Sequence, residues 1–124
     1  MSAPLGRWTE GPLALELAAA EGALVLAWRG RSEHREPGRF LVPVLDDALA
    51  RARSAGVRLV LDFTAVEYMN SSTFTPIVKL VDQARRSAVS VALEYSLERK
   101  WQALSFSALR TFETKDGRVT VTGR

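Results

Sequence analysis

Four consecutive small polar residues, Asn70, Ser71, Ser72 and Thr73, are the most unusual chemical feature of this 124-residue sequence. They lie between the apolar run 57–63 and a segment whose apolar residues recur at helical spacing. Side-chain oxygens at such a junction can accept hydrogen bonds from the first N–H groups of a helix, and the positive end of the helix dipole favours a phosphate group there. The cluster therefore predicts either a purely structural helix N-cap or an exposed hydroxyl that can accept a phosphate.

The reactive side chains elsewhere in the sequence do not form a recognisable catalytic or metal-binding set. The chain has no cysteine and a single histidine, His34, which lies in a polar segment. A nucleophile, a base and an orienting acid could be assembled only from Ser71, His34 and Asp82, and Ser71 is not in the Gly-x-Ser-x-Gly turn of serine hydrolases. No glycine-rich phosphate loop follows a predicted strand. We therefore expect a protein that is not an enzyme and that binds no metal, nucleotide or other cofactor.

The elements that position this cluster begin with a hairpin, a loop and a helix. Apolar residues alternate at 13–17 and again at 24–28, with a Glu-Gly turn between them, which predicts two antiparallel strands. The segment 30–39 carries glycine, proline and charge without periodicity and is predicted to be a surface loop. Helical spacing starts at Leu41, and Gly56 is placed to cap the carboxyl end of this first helix.

The second half of the sequence predicts alternating strands and helices. Residues 57–63 form a continuous apolar run of strand length, typical of a central strand, and 90–96 form another. A second helix follows the polar cluster, with Pro76 in its first turn and an apolar face made of Phe74, Ile77, Val81 and Ala84.

A third helix and a short closing strand complete the predicted fold. The apolar stripe of this helix consists of Trp101, Leu104, Ala108, Leu109 and Phe112. Phe106 lies off the stripe, so we expect it to be exposed, as part of a docking surface. The order β-β-α-β-α-β-α-β predicts a single α/β domain over residues 1–124, with a mixed sheet of four to five strands and helices packed mainly on one face.

Composition limits the environment and the partners. The chain is 47% hydrophobic and carries a formal net charge of +3, with acidic residues interspersed among the basic ones, so neither nucleic acid nor a membrane surface is an expected partner. No apolar run is long enough to span a bilayer, and the first residues do not have the pattern of a secretory signal. We therefore expect a cytoplasmic protein.

The stretch VRLVLDFTAVEYMNSSTFTPIVKL resembles the signature of STAS domains, the domains of bacterial anti-sigma-factor antagonists. In that family a hydrophobic strand ends in aspartate, and an Asp-Ser-[ST]-Gly motif then opens a helix. The order of elements is similar as well, so that the resemblance covers about residues 11–122. Asn70 stands where the family usually has aspartate and Thr73 where it has glycine, which is similar to a divergent branch whose members include regulators of diguanylate cyclases. The segment RKWQALSF also resembles a tryptophan-glutamine element near the third helix of that branch.

The resemblance implies a non-enzymatic, phosphorylation-switched binding module. It places the phospho-acceptor at Ser71 and partner contacts at Asn70, Ser72, Thr73 and Phe74. The implied partners are a serine kinase that doubles as an anti-sigma factor, a phosphatase, or a signalling enzyme, and the chain is expected to be a monomer or a weak dimer. The alternative is a constitutive adaptor, or a regulator of an enzyme such as a diguanylate cyclase, without phosphorylation.

Overall fold

The computed structural model describes residues 4–124, which form one six-stranded mixed sheet with three helices on one face. The strands lie across the sheet in chain order: β1 (Gly6–Glu10), β2 (Leu13–Ala20), β3 (Ala23–Ser32), β4 (Arg58–Met69), β5 (Val91–Tyr95) and β6 (Val119–Gly123). The first three strands are antiparallel, and β3 to β6 are parallel. The predicted α/β class is confirmed, but the predicted strand number of four to five is wrong.

The additional strand is β1, which shows no alternating pattern because Trp8 is its only large apolar residue. The indole of Trp8 lies over Gly6 of the same strand, where a Cβ atom would be 2.5 Å from the ring. Pairing with β2 therefore holds this strand in place, together with one aromatic ring that covers a glycine.

The helices connect parallel strands, and right-handed connections between neighbouring strands place all of them on the same face. They are α1 (Gly38–Ala55), α2 (Ser71–Arg85) and α3 (Lys100–Ser107), which continues as a 3-10 turn over Ala108–Phe112. None of the helices within residues 4–124 is long and apolar enough to cross a membrane.

Some helix ends lie where the sequence predicts them, and others do not. Gly56 caps α1 with a left-handed φ of 68°, as predicted, but α1 begins at Gly38 instead of Leu41. Pro76 is in the second turn of α2, so its predicted place in the first turn is wrong. A residue with an N–H group at this position would donate to the carbonyl of Ser72, and Ser72 is exposed, so that water can replace that bond.

The core lies between the helices and the sheet, and its centre is an aromatic cluster around Phe106. The ring of Phe106 is fully buried, 4.7 Å from Phe63, 5.5 Å from Phe74 and 5.7 Å from Tyr95. The prediction that Phe106 is exposed is therefore wrong.

The error arises because the predicted stripe lies on the wrong face of α3: within the regular helix Lys100–Ser107 the buried residues are Gln102 and Phe106, four positions apart on one face. The α-helix ends at Ser107, and the tighter 3-10 turn that follows changes the angle between successive side chains. Leu104 points away from that face and is 76% exposed, whereas Trp101, Leu109 and Phe112 are partly buried against the core.

Phe106 and Leu104 provide a matched test of this packing, because both are apolar residues of α3 with opposite exposure. We expect Phe106→Ala to lower the free energy of unfolding by about 3–5 kcal/mol, since it leaves a cavity among three aromatic rings. Leu104→Ala should change it by no more than about 0.5 kcal/mol. Urea unfolding of the two variants measures both values, and equal losses would contradict the described position of α3.

Candidate functional site

The polar cluster lies where β4 ends and α2 begins, and Asn70 is the N-cap of that helix. Its Oδ1 accepts hydrogen bonds from the main-chain N–H of Thr73 at 3.1 Å and from the Thr73 hydroxyl at 2.7 Å. The predicted helix N-cap at this junction is confirmed. Because a side-chain oxygen already satisfies one of the first-turn N–H groups, the start of α2 is fixed without any ligand.

Thr73 points inward and joins the cap to β3. Its hydroxyl is fully buried and lies 2.7 Å from the hydroxyl of Ser32, the last residue of β3. The main-chain N–H of Asn70 donates to the Ser32 carbonyl at 3.0 Å, and its Nδ2 donates to the His34 carbonyl at 2.9 Å. The Thr73 side chain thus offers no surface to a partner, in contrast to its expected place among the partner contacts, and acts inside the protein.

Ser71 and Ser72 point outward, at the first two positions of α2. Within residues 4–124, neither hydroxyl takes part in a hydrogen bond, and main-chain N–H groups in the first turn of a helix have no helical acceptor. Phe74, the next predicted contact residue, is half-buried with its ring 5.5 Å from that of Phe106. The cluster therefore divides into two exposed serines and an internal pair, Asn70 and Thr73.

The residues that could be drawn into a hydrolytic triad are not assembled. Asp82 lies eleven residues after Ser71 on α2, about 16 Å along the helix axis, and it pairs with Arg86 at 3.1 Å. His34 is exposed, and its Nδ1 accepts a hydrogen bond from the N–H of Glu36. Among the described residues, no three His, Asp or Glu side chains come together as a metal site.

The end of β4, three residues before Ser71, and the adjoining end of β3 carry side chains that are frequent in protein–protein contacts. Tyr68 is 41% exposed, and the guanidinium of Arg31 lies 4.9 Å from the centre of its ring. Arg31 also pairs with Glu33 at 3.2 Å. A cavity of about 260 Å³ opens beside Arg31 and His34, between the β1–β2 turn and the end of β3. Tyrosine and arginine are enriched among the residues that carry binding energy at interfaces.

Gln102 of α3 stabilises the main chain that leads to the site through three buried hydrogen bonds. Its Nε2 donates to the carbonyls of Phe63 and Val66, at 2.7 and 2.8 Å, and its Oε1 accepts from the N–H of Ser96 at 2.7 Å. The pairing of β4 with β5 ends at Asp62, so these carbonyls have no strand to bond with on that side. The glutamine amide replaces the missing strand over the part of β4 that leads to Asn70.

Sequence reasoning assigned no role to Gln102 beyond its place in the tryptophan-glutamine element. A polar residue in a short helix ordinarily predicts a solvent-exposed position, because glutamine is seldom fully buried. Only the tertiary structure shows that three unpaired backbone groups surround it. The one sequence feature that points to this residue is the resemblance of RKWQALSF to an element of a known family.

The site as a whole presents an exposed hydroxyl on a fixed helix start, and the strand end before it carries an exposed aromatic residue with an arginine against its ring. No protein-family model matches the chain, and no curated protein matches its sequence. Chemically, the arrangement is suited to contact with another protein and to a change of charge at Ser71.

We expect Gln102→Leu to lower the free energy of unfolding by at least about 3 kcal/mol, because it leaves three buried main-chain groups without partners. Gln83→Leu is the control, since Gln83 is an exposed glutamine of α2. Chemical denaturation gives the two free energies, and hydrogen exchange should show faster exchange of the Ser96 amide in Gln102→Leu alone. A loss of the same size in both variants would show that the buried amide bonds do not support the fold.

Proposed function

We propose that this chain is a non-enzymatic, protein-binding module of the anti-sigma-factor antagonist type, which phosphorylation of Ser71 switches in a bacterial partner-switching pathway. The observation that carries the proposal is the exposure of Ser71 at the first position of α2, next to an N-cap that Asn70 already fills. Ser71 is therefore open to a kinase and has no structural task that phosphorylation would disrupt.

The position also accommodates the charge that a phosphate brings. A phosphoserine carries about −1.5 to −2 charges near neutral pH, and the N-terminal turn of a helix stabilises negative charge through its dipole and its free N–H groups. The cap formed by Asn70 and Thr73 stays intact because neither side chain contacts the Ser71 hydroxyl within the described residues. Phosphorylation is thus expected to alter the surface while the fold remains unchanged.

The unmodified surface docks on the partner, and the phosphorylated one does not. Ser71 and Ser72 form the exposed start of α2, followed by the half-buried Phe74, and Tyr68 with Arg31 lies near the end of β4. A partner shaped for a serine hydroxyl would have to bury the new charge, which is unfavourable without a compensating cation. The partners under this proposal are a serine kinase that doubles as an anti-sigma factor, and a phosphatase that restores the free hydroxyl.

Ser71→Glu should weaken binding to the partner while the stability of the fold is retained or rises by about 0.3–1 kcal/mol, because a carboxylate is favourable at a helix N-terminus. Ser71→Ala should bind like the wild type but lose any response to the kinase. Gln83→Glu is the matched control, because it adds the same charge at an exposed position of α2 that lies twelve residues from Ser71. The measurements are thermal melts and titrations of each variant against the partner isolated with the wild-type protein from its host. Binding of Ser71→Glu at wild-type affinity would overturn the switch.

A constitutive adaptor, or a regulator of a signalling enzyme such as a diguanylate cyclase, is the second candidate, and one observation favours it. The network of Asn70, Thr73 and Ser32 is complete without a phosphate, and it uses the two residues that differ from the motif of the switched family. Such a site could present one fixed surface at all times.

Intact-mass measurement of the protein from its native host distinguishes the two candidates. The switch predicts a fraction of molecules heavier by one phosphate, and fragmentation should place that phosphate on Ser71. If every molecule has the unmodified mass, both when the host is growing and when it is under stress, the constitutive adaptor replaces the switch as the better explanation.

A further inference from the structure

The two edges of the sheet differ in whether their main-chain groups are already bonded. At the β6 edge, the carboxylate of Glu113 accepts from the N–H of Val121 at 3.0 Å. The Thr114 hydroxyl accepts from the N–H of Val119, and the Thr114 N–H donates to the Val119 carbonyl. These contacts occupy the outward groups of Val119 and the N–H of Val121, so the first part of this edge is closed to another strand.

The opposite edge, β1, is open. The two-residue connection to β2 closes on the pair Glu10 and Leu13, and alternation along an antiparallel ladder then directs the N–H and C=O groups of Arg7 and Thr9 away from β2. Apart from β2, no residue between 4 and 124 hydrogen-bonds to the main chain of this strand. The strand also contains no proline and no lysine, the residues that often protect an edge.

We propose that β1 pairs antiparallel with β1 of a second copy of this chain, which forms a homodimer with one continuous sheet. The register that satisfies all outward groups places Arg7 opposite Thr9 of the second copy and Trp8 opposite its own equivalent. Four hydrogen bonds then form, two around each Arg7–Thr9 pair. The side chains of the two Trp8 residues lie next to each other on the helix-covered face, where Trp8 is already partly buried against the core.

Charge selects this register and favours a second copy as the occupant. Glu10 faces Gly6 of the other strand, and Arg7, which is paired with Glu16 at 2.9 Å in its own chain, faces an uncharged threonine. A shift by two residues in one direction would place Arg7 opposite Arg7, and the opposite shift would pair Arg7 with the turn residue Gly11. Of these three registers, only the one with Arg7 opposite Thr9 keeps both outward-facing residues opposite a strand residue without placing like charges together.

Apolar surface continues from the strand edge toward α1. Leu5, which precedes β1, is 45% exposed and borders a shallow groove that Ala50 and Ala55 of α1 also line. The dimer would cover part of this surface at each end of the shared strand pair, which adds apolar burial to the main-chain bonds.

The test compares Thr9→Pro with Thr9→Ala in the full chain by sedimentation equilibrium over a wide concentration range. Proline removes the outward N–H of residue 9 in both copies, and proline is tolerated in an edge strand, whereas alanine keeps the N–H. We expect wild type and Thr9→Ala to dimerise with similar affinity, and Thr9→Pro to self-associate at least about tenfold more weakly. Circular dichroism confirms that both variants are folded.

Hydrogen exchange of the wild-type protein tests the same pairing without a substitution. The amides of Arg7 and Thr9 should become more protected as the concentration rises, while the outward-facing main chain at the β6 edge should not change. A protein that stays monomeric at every concentration would overturn the proposal. So would a dimer in which the exchange of Arg7 and Thr9 is independent of concentration, because its interface would lie elsewhere.

Discussion

Beyond Asp62, β4 has a partner strand on one side only, and the amide of Gln102 takes the place of the missing one. Through the carbonyls of Phe63 and Val66 and the N–H of Ser96, this side chain ties α3 to the carboxyl ends of two central strands. Arg99 adds a bond to the Thr64 carbonyl at 3.2 Å. Since β4 runs directly into Asn70, these bonds act together with the pairing to β3 in fixing the start of α2.

At the N-terminus of α2, different residues of the polar cluster stabilise the helix start and form the exposed surface. Asn70 and Thr73 satisfy the helix start and each other, and the Ser32 hydroxyl pairs with the buried hydroxyl of Thr73, which would otherwise be costly to bury. The Thr73 hydroxyl already donates to Asn70 Oδ1, so Thr73 in turn gives the buried hydroxyl of Ser32 a hydrogen-bond partner. The exposed Ser71 takes no part in this network and has no structural role in it.

The sequence could predict those features that depend on local pattern. The order of the helices and of the strands from β2 onward, the C-cap at Gly56 and the N-cap junction at Asn70 follow from periodicity and from residue types with clear local preferences. Features that depend on tertiary contacts could not be predicted in this way. β1 has no alternation and exists because β2 pairs with it. Phe106 is buried because α3 packs the face that carries Gln102 and Phe106 against the core, and Gln102 is buried because β4 extends past β5.

The candidate site and the open sheet edge are far apart in the topology, and this separation has a consequence for assembly. Ser71 follows β4, while β1 lies three strands away at the edge of the sheet. Pairing of two β1 strands requires a two-fold axis perpendicular to the sheet, so that both helical layers remain on one face and the parallel strands of the two copies run in opposite directions. The two Ser71 residues would then lie at opposite ends of the dimer. One small partner could not contact both, so each copy would bind and be switched on its own, and only a partner that is itself oligomeric could gain affinity from the dimer.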